Sequence, residues 1–261
     1  RRIYLMSGFS AVQDDKLLTA KLEDMYMQCE RGCGSVYSFF LDERQCAVAE
    51  KFCRSLRSDS NHVLWGGFEE AQRKMLCIYE YYAEGYVMED FPMKCLTFTW
   101  RKEYTLSHRD FLGSLMAMRL KREVIGDIVI GEGKAQIFVT DTAAKLILST
   151  VAKIGKVGVS VTDSEPFSLE IKQEFEETGC TVASMRLDCI VAAAAKVSRE
   201  NAARLIRSEK VSVNHFPVMS LSHEVGEGDK ISVRGSGKFI LGAINGTTKK
   251  GRIHIILRKY K

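Results

Sequence analysis

The sequence predicts an α+β protein in three parts: an N-terminal region led by helices, a middle stretch with the order β-α-β-β-α-β, and a small basic α+β unit at the C-terminal end. Three observations carry this reading. Apolar residues switch between three-and-four spacing and strict alternation along the chain, the periods of helix and strand. Glycines punctuate the alternating stretches where tight turns are needed. Charge, finally, divides near residue 180: residues 1–180 hold 23 Lys and Arg against 27 Asp and Glu, net −4, whereas 181–261 hold 15 against 6, net +9. The expected divisions are 1–90, 91–163 and 181–261.

Bulk composition bounds the function. A chain of 261 residues, 46% hydrophobic and 27% charged, has the make-up of an ordinary globular protein with room for two or three cores. No apolar run reaches 18 residues, which excludes a helical membrane span, and Arg1–Ser7 lacks the apolar stretch of a secretory signal. The eight cysteines sit mostly inside apolar periodic segments, as reduced thiols of a cytoplasmic protein do. Cys29 and Cys33 lie one helical turn apart with no second pair or nearby His, so neither metal nor cofactor is expected.

The elements follow in order. Leu17, Leu18, Leu22, Met25 and Tyr26 recur at helical spacing within 14–31, behind Asp14 and Asp15. A second helix runs over 42–56 with Asp42 as its cap and Cys46, Val48, Ala49 and Phe52 facing inward. Strands are expected at His62–Trp65 and Met75–Tyr82. From 94 the order is strand (94–100), helix (107–120), strand (123–130), a turn at Gly131-Glu132-Gly133, strand (134–139), helix (142–154) and strand (157–161). That succession is the ferredoxin-like, or RRM-like, split unit, with two helices on one sheet face and the other face open to a partner. Phe98, Trp100 and Phe138 lie in its strands, but the dense basic and aromatic pattern of base-stacking sheets is missing. A scaffold or protein-docking sheet is the favoured reading. The acidic stretch Ser164–Thr178 reads as a domain boundary or a short solvated connecting helix.

The C-terminal part is the most informative. Leu187, Ile190, Val191 and Ala194 mark one helix face; Ser198 caps a second helix from Arg199 that buries Ala202, Ala203, Leu205 and Ile206. Arg186, Arg199, Arg204, Arg207 and Lys210 are left outside, and Arg204 and Arg207, three residues apart, share a face on which forked guanidiniums suit phosphates. An alternating strand at Val211–Asn214 and another at Asp229–Arg234 follow, with Gly235 and Gly237 beside Arg234 and Lys238. Lys249, Lys250 and Arg252 extend the basic surface. So positive a segment attracts polyanions, because each phosphate it neutralises releases condensed counterions.

The stretches Arg186-Leu187-Asp188, Ser198-Arg199, Ala203-Arg204-Leu205-Ile206, Val211-Ser212-Val213-Asn214 and Gly228–Arg234 resemble the RNA-binding domain named for a small-subunit ribosomal protein of the S-four type. Ser107–Gly113, Lys121–Ile128 and Thr247–Arg252, with Phe40-Leu41-Asp42 and Gly66–Ala71, are similar to the bacterial YlmH family over nearly the whole chain. The chain departs from that family's usual residues at Phe68 and at Lys238-Phe239, keeping side-chain character at both. The resemblance implies a non-catalytic protein that binds folded RNA by shape and phosphate contact. Its implied partners are ribosomal RNA of the large ribosomal subunit and peptidyl-tRNA, in quality control of stalled nascent chains, with an association with cell division. The RNA-binding set read from these stretches is Arg186, Ser198, Arg199, Arg204, Arg207, Lys210, Asn214, Arg234, Lys238, Lys249, Lys250 and Arg252, in a monomer.

A second contact is assigned to His108, Arg109, Lys121 and Arg122. His108, Arg109 and Asp110 are adjacent and cannot converge on one reacting atom, so Asp110 reads as a helix cap and no catalytic residue is assigned. Two other functions stay open from sequence: an RNA-modifying enzyme in a pseudouridine-synthase-like context, for which the middle unit lacks size and pattern, and a cell-division adaptor whose basic end binds protein.

Overall fold

One-sided burial of the helices and alternating burial along the strands sort the chain into layers, each pair of layers enclosing an apolar cluster. The computed structural model describes residues 7–56, 60–80, 90–171, 175–248 and 251–260. The chain divides into two units, Arg1–Ile171 and Lys172–Lys261.

The first unit begins with α1 (Ser7–Gln28), which continues into a wide turn, Cys29–Cys33, broken at Gly32 with φ 78°. The helix thus starts before the expected Asp14, and Asp15 instead binds Arg44 at 2.7 Å. β1 (Val36–Leu41), not foreseen as a strand, leads to α2 (Glu43–Ser55). Asp42 caps α2 as expected, accepting from the Gln45 amide while the Gln45 side chain accepts from the Asp42 amide. β2 (Ser60–Trp65) and β3 (Lys74–Glu80) complete an antiparallel sheet of order β1-β3-β2. The expected strand end at Tyr81 and Tyr82 lies outside the described residues.

β4 (Met93–Thr99), α3 (His108–Ala117), β5 (Ile125–Ile130), β6 (Lys134–Thr140), α4 (Asp141–Thr150) and β9 (Ser160–Thr162) form the ferredoxin-like unit. A small hairpin, β7 (Lys153–Ile154) with β8 (Val157–Gly158), sits between α4 and β9. The sheet order β5-β6-β4-β9, antiparallel at every junction, is that of the split β-α-β-β-α-β arrangement. Period-two alternation decides what each face does. Leu96, Phe98, Ala135, Ile137 and Val139 point toward α3 and α4, where Phe111, Leu115 and Ile147 are fully buried.

The opposite face is covered, which corrects the expectation of an open one. Phe138 packs there beneath Phe68 and Phe167, the latter two stacked at 4.6 Å and 18°. Gln136, fully buried, holds the segment after β9 onto the sheet. Its amide nitrogen donates to the Thr97 hydroxyl and the Pro166 carbonyl, and its oxygen accepts from the Ser168 and Leu169 amides. The same aromatic layer takes in Phe40, Met75, Cys77 and Tyr79 from the first sheet. Behind that sheet, α1 and α2 bury Leu22, Ala49 and Cys53 against Leu76 and Ile78. The unit is therefore helices, sheet, sheet, helices.

The second unit has β10 (Phe175–Val182), α5 (Leu187–Ala195), α6 (Arg199–Arg207), β11 (Val211–Val213), β12 (Phe216–Pro217), β13 (Lys230–Val233), β14 (Gly237–Thr247) and β15 (Ile253–Tyr260). Its sheet order is β10-β15-β14-β13-β11-β12. The acidic residues Glu176 and Glu177 stand on a strand rather than on a connecting helix: β10 pairs residue for residue with β15, and Arg258 meets Glu177 at 2.8 Å. Main-chain pairing, not apolar alternation, holds this exposed edge strand. Ile190, Ala202, Ile206, Ile231, Leu241 and Ile255 close the core between the helix pair and the sheet.

Candidate RNA interface

The two helices of the second unit are joined by a short, fully specified connection. α5 ends at Lys196 in the left-handed conformation (φ 54°), whose amide returns to the Ala192 and Ala193 carbonyls. Two residues later the Ser198 hydroxyl accepts from the Asn201 amide and starts α6. Ser198 is thus spent on capping. Lys196 was missed by sequence reasoning; it is exposed at this bend, and its one signal was its place between an alanine run and a cap.

Asp188 organises the basic residues around that bend. It is 4% exposed; one carboxylate oxygen takes Arg186 Nε at 3.2 Å and the Cys189 amide at 3.1 Å, and the other takes Arg199 Nε at 2.8 Å. Burial opposes ionisation, but the hydrogen bonds from Arg199 and Arg186 outweigh it and hold the Asp188 pKa below the ordinary carboxylate value. The bond to Asp188 in turn raises the pKa of Arg199. One carboxylate between two guanidiniums leaves a net positive charge. Both arginines pair through Nε and keep much of their side chains in solvent.

The remaining basic side chains gather at the far end of α6. Arg204 is exposed, its Nη2 2.6 Å from the Asn201 side-chain oxygen and 3.9 Å from Glu200, and Arg207 follows one turn later on the same face. Lys210 comes next, after Glu209 has closed the helix in a left-handed conformation (φ 54°). The Arg234 amide donates to the Lys210 carbonyl at 2.8 Å, directly beside the Val211 to Val233 pair of β11 and β13. Residues 24 apart in sequence are neighbours here, and Arg207, Lys210 and Arg234 are all exposed.

Other members of the expected set do different work. Asn214 and His215 form a turn with positive φ at both positions, the geometry of a two-residue hairpin. The Asn214 side chain donates to Asp229 and accepts from the Lys230 amide, so it is consumed by the turn. Arg252 donates to the Thr181 carbonyl at 2.9 Å. Lys238 is exposed on β14, opposite Ser232. Lys249 and Lys250 lie outside the described residues.

The second contact set is split by the structure. Ser107 and Asp110 form a reciprocal cap at the start of α3, which leaves His108 and Arg109 exposed. Partial burial, then Arg122, lowers the His108 pKa. Lys121 is exposed and 3.7 Å from Glu123. Arg122 turns inward and donates to the Ile125 and Gly126 carbonyls. Among the described residues no group of three His, Cys, Asp or Glu could hold a metal, and no helix is long and apolar enough to cross a membrane.

Comparison with known proteins bears on this geometry. The family model described as "Putative RNA-binding domain in YlmH" matches residues 87–167, and the S4 domain model matches 185–231, the stretch that holds α5, α6 and β11. A relative from Bacillus subtilis (strain 168), "Ribosome-associated protein quality control protein P2", is 30% identical over 224 residues, covering 85% of this chain and 86% of its own. The chain belongs to the YlmH family. A solved structure, "Cell division protein ylmH from Streptococcus pneumoniae", superposes on this YlmH-family chain with a TM-score of 0.51 at 16% identity. It covers 58% of this chain and 92% of its own length, a likeness of fold.

Proposed function

We propose that this protein is a non-catalytic, cytoplasmic RNA-binding factor that joins the large ribosomal subunit as a monomer, contacts ribosomal RNA and peptidyl-tRNA there, and acts in quality control of stalled nascent chains. The B. subtilis relative, whose name places it on the ribosome in quality control, supports this reading. In this reading 181–261 presents the main phosphate-binding surface, and the stretch that matches the YlmH RNA-binding model, 87–167, adds a second RNA-facing part. The observation that carries the proposal is that Arg204, Arg207, Lys210 and Arg234 are all exposed, with the Lys210 to Arg234 backbone bond bringing the last two side by side. α6 and the β11–β13 junction fix the backbone under these cations, so binding has only their side chains to order.

Reversing Arg204 and Arg207 to Glu tests it. Two lost charge-assisted contacts at about 1.5 kcal/mol each amount to about 100-fold in affinity. The salt dependence of binding should fall by about two counterions. Ribosome retention at about 150 mM salt is the readout, with circular dichroism checking that the fold survives the small cost of two acids in the last turn of α6. Unaltered retention would remove the assignment.

A further inference from the structure

The first unit contains a cavity of about 600 Å³ that the RNA platform does not use. Its floor is apolar, built by Leu18, Leu22 and Met25 of α1 and by Phe40 and Leu41 of β1. Phe39 lines it too, and this side chain is 54% exposed although its neighbour Phe40 is 1% exposed. An aromatic ring left half in solvent at the edge of an apolar pocket offers a free stacking face.

Cationic residues line the cavity as well. Arg73 and Arg122 lie side by side, both half-buried. Arg73 donates to the Phe40, Ile125 and Arg122 carbonyls, and Arg122 to the Ile125 and Gly126 carbonyls. Asp127, half-buried beside them, accepts from the Gln72 and Arg73 amides. Burial, then the Arg73 charge, brings the Arg122 pKa down to about 10. Lys21 and Lys121 add two cations at the rim. Against the four lining cations stand three lining carboxylates, Asp24, Asp42 and Glu123, of which Glu123 faces Lys121. The lining is thus positive by one charge, which favours an anion.

We propose that this cavity binds a nucleotide, with the base over the apolar floor and against Phe39 and the phosphate toward Lys21, Lys121 and Arg122. Its volume suits a ligand of that size. Asp24 and Gln28, one helical turn apart at the rim, supply an acceptor and an amide for a base edge or a ribose hydroxyl, which a bare phosphate would not use. The source is a nucleotide swung out of bound RNA, and in that respect the inference rests on the RNA-binding reading; a free nucleotide shares the chemistry.

The test uses the full chain. AMP, UMP and inorganic phosphate are titrated by calorimetry and ligand-observed NMR against the wild type, Phe39→Ala and Phe39→Leu, the last keeping bulk without a stacking face. Separately, ultraviolet crosslinking of the ribosome-bound chain is read for a nucleotide adduct on the Phe39 peptide. A mononucleotide should bind at least tenfold tighter than phosphate, and both Phe39 variants should lose about tenfold while melting as the wild type does. An adduct lost in the variants identifies RNA as the source; mononucleotide binding with no adduct identifies a free nucleotide. The absence of both binding and adduct overturns the proposal, as does binding equal to that of phosphate, binding indifferent to Phe39, or displacement of AMP by an apolar peptide carboxylate. The mononucleotide titration does not involve Arg204 and Arg207, so their reversal should leave it unchanged and the two readings fail separately.

Discussion

Replacing Asp188 by asparagine removes one negative charge and almost no volume, and it separates two explanations of how the basic helices work. Asp188 accepts three hydrogen bonds, from Arg186, Arg199 and the Cys189 amide, at 4% exposure. An asparagine oxygen can serve only one guanidinium, and its amide would meet the other donor to donor. One charge-assisted bond is worth about 1.5–3 kcal/mol. The freed arginine, 41% or 57% exposed in the side chain, recovers part of that from water. A loss of about 1.5 kcal/mol is therefore expected, which for a unit of this size lowers its melting point by roughly 6–12 °C. Because the folded-state pKa of Asp188 is depressed, the wild-type advantage is fully present above the unfolded value of about 3.9 and disappears as pH falls through the folded one. Urea unfolding of both proteins from pH 7 down to pH 2 measures this. RNA binding supplies the sharper contrast. The variant gains a net positive charge, so simple attraction would tighten binding, whereas loss of fixed arginine positions weakens it. We expect weaker binding; a variant as stable as the wild type that binds RNA more tightly would refute the reasoning.

Three further substitutions examine the frame around the site. Gln136→Leu strips the partners from the Ser168 and Leu169 amides and should cost the first unit about 3 kcal/mol, with faster hydrogen exchange at both amides. Gly67→Ala places a methyl group 2.0–2.7 Å from the Phe138 ring at a φ of 97°, and about 3 kcal/mol of destabilisation by urea unfolding is expected. Ser198→Ala removes the cap of α6 and should cost about 1 kcal/mol in thermal unfolding, with RNA binding weakened only slightly.

Much of the fold could be read from periodicity because its elements bury one face. The α5 and α6 bounds follow from Leu187, Ile190, Ala202 and Ile206 with Ser198 between them, and the β-α-β-β-α-β order from alternation on either side of Gly131 and Gly133. What escaped was held by interactions that leave no periodic trace. The covering of the ferredoxin-like sheet depends on one buried amide, Gln136, and on Phe68 and Phe167 arriving from distant segments. β10 is an acidic edge strand defined by its pairing with β15, and its Glu176 and Glu177 disguised it. At the site, Arg204 and Arg207 were legible from helical spacing, but the Lys210 and Arg234 neighbourhood needed the β11 to β13 register. The part Asp188 plays was not legible, because nothing local shows that Arg199, eleven residues on, folds back to it.

RNA-to-peptide crosslinks mapped on the native, ribosome-associated protein bear most directly on where the polyanion lies. The account expects adducts on the peptides carrying Arg204, Arg207, Lys210 and Arg234, weakened by Asp188→Asn. Adducts confined to the first unit, with those peptides clean, would contradict it.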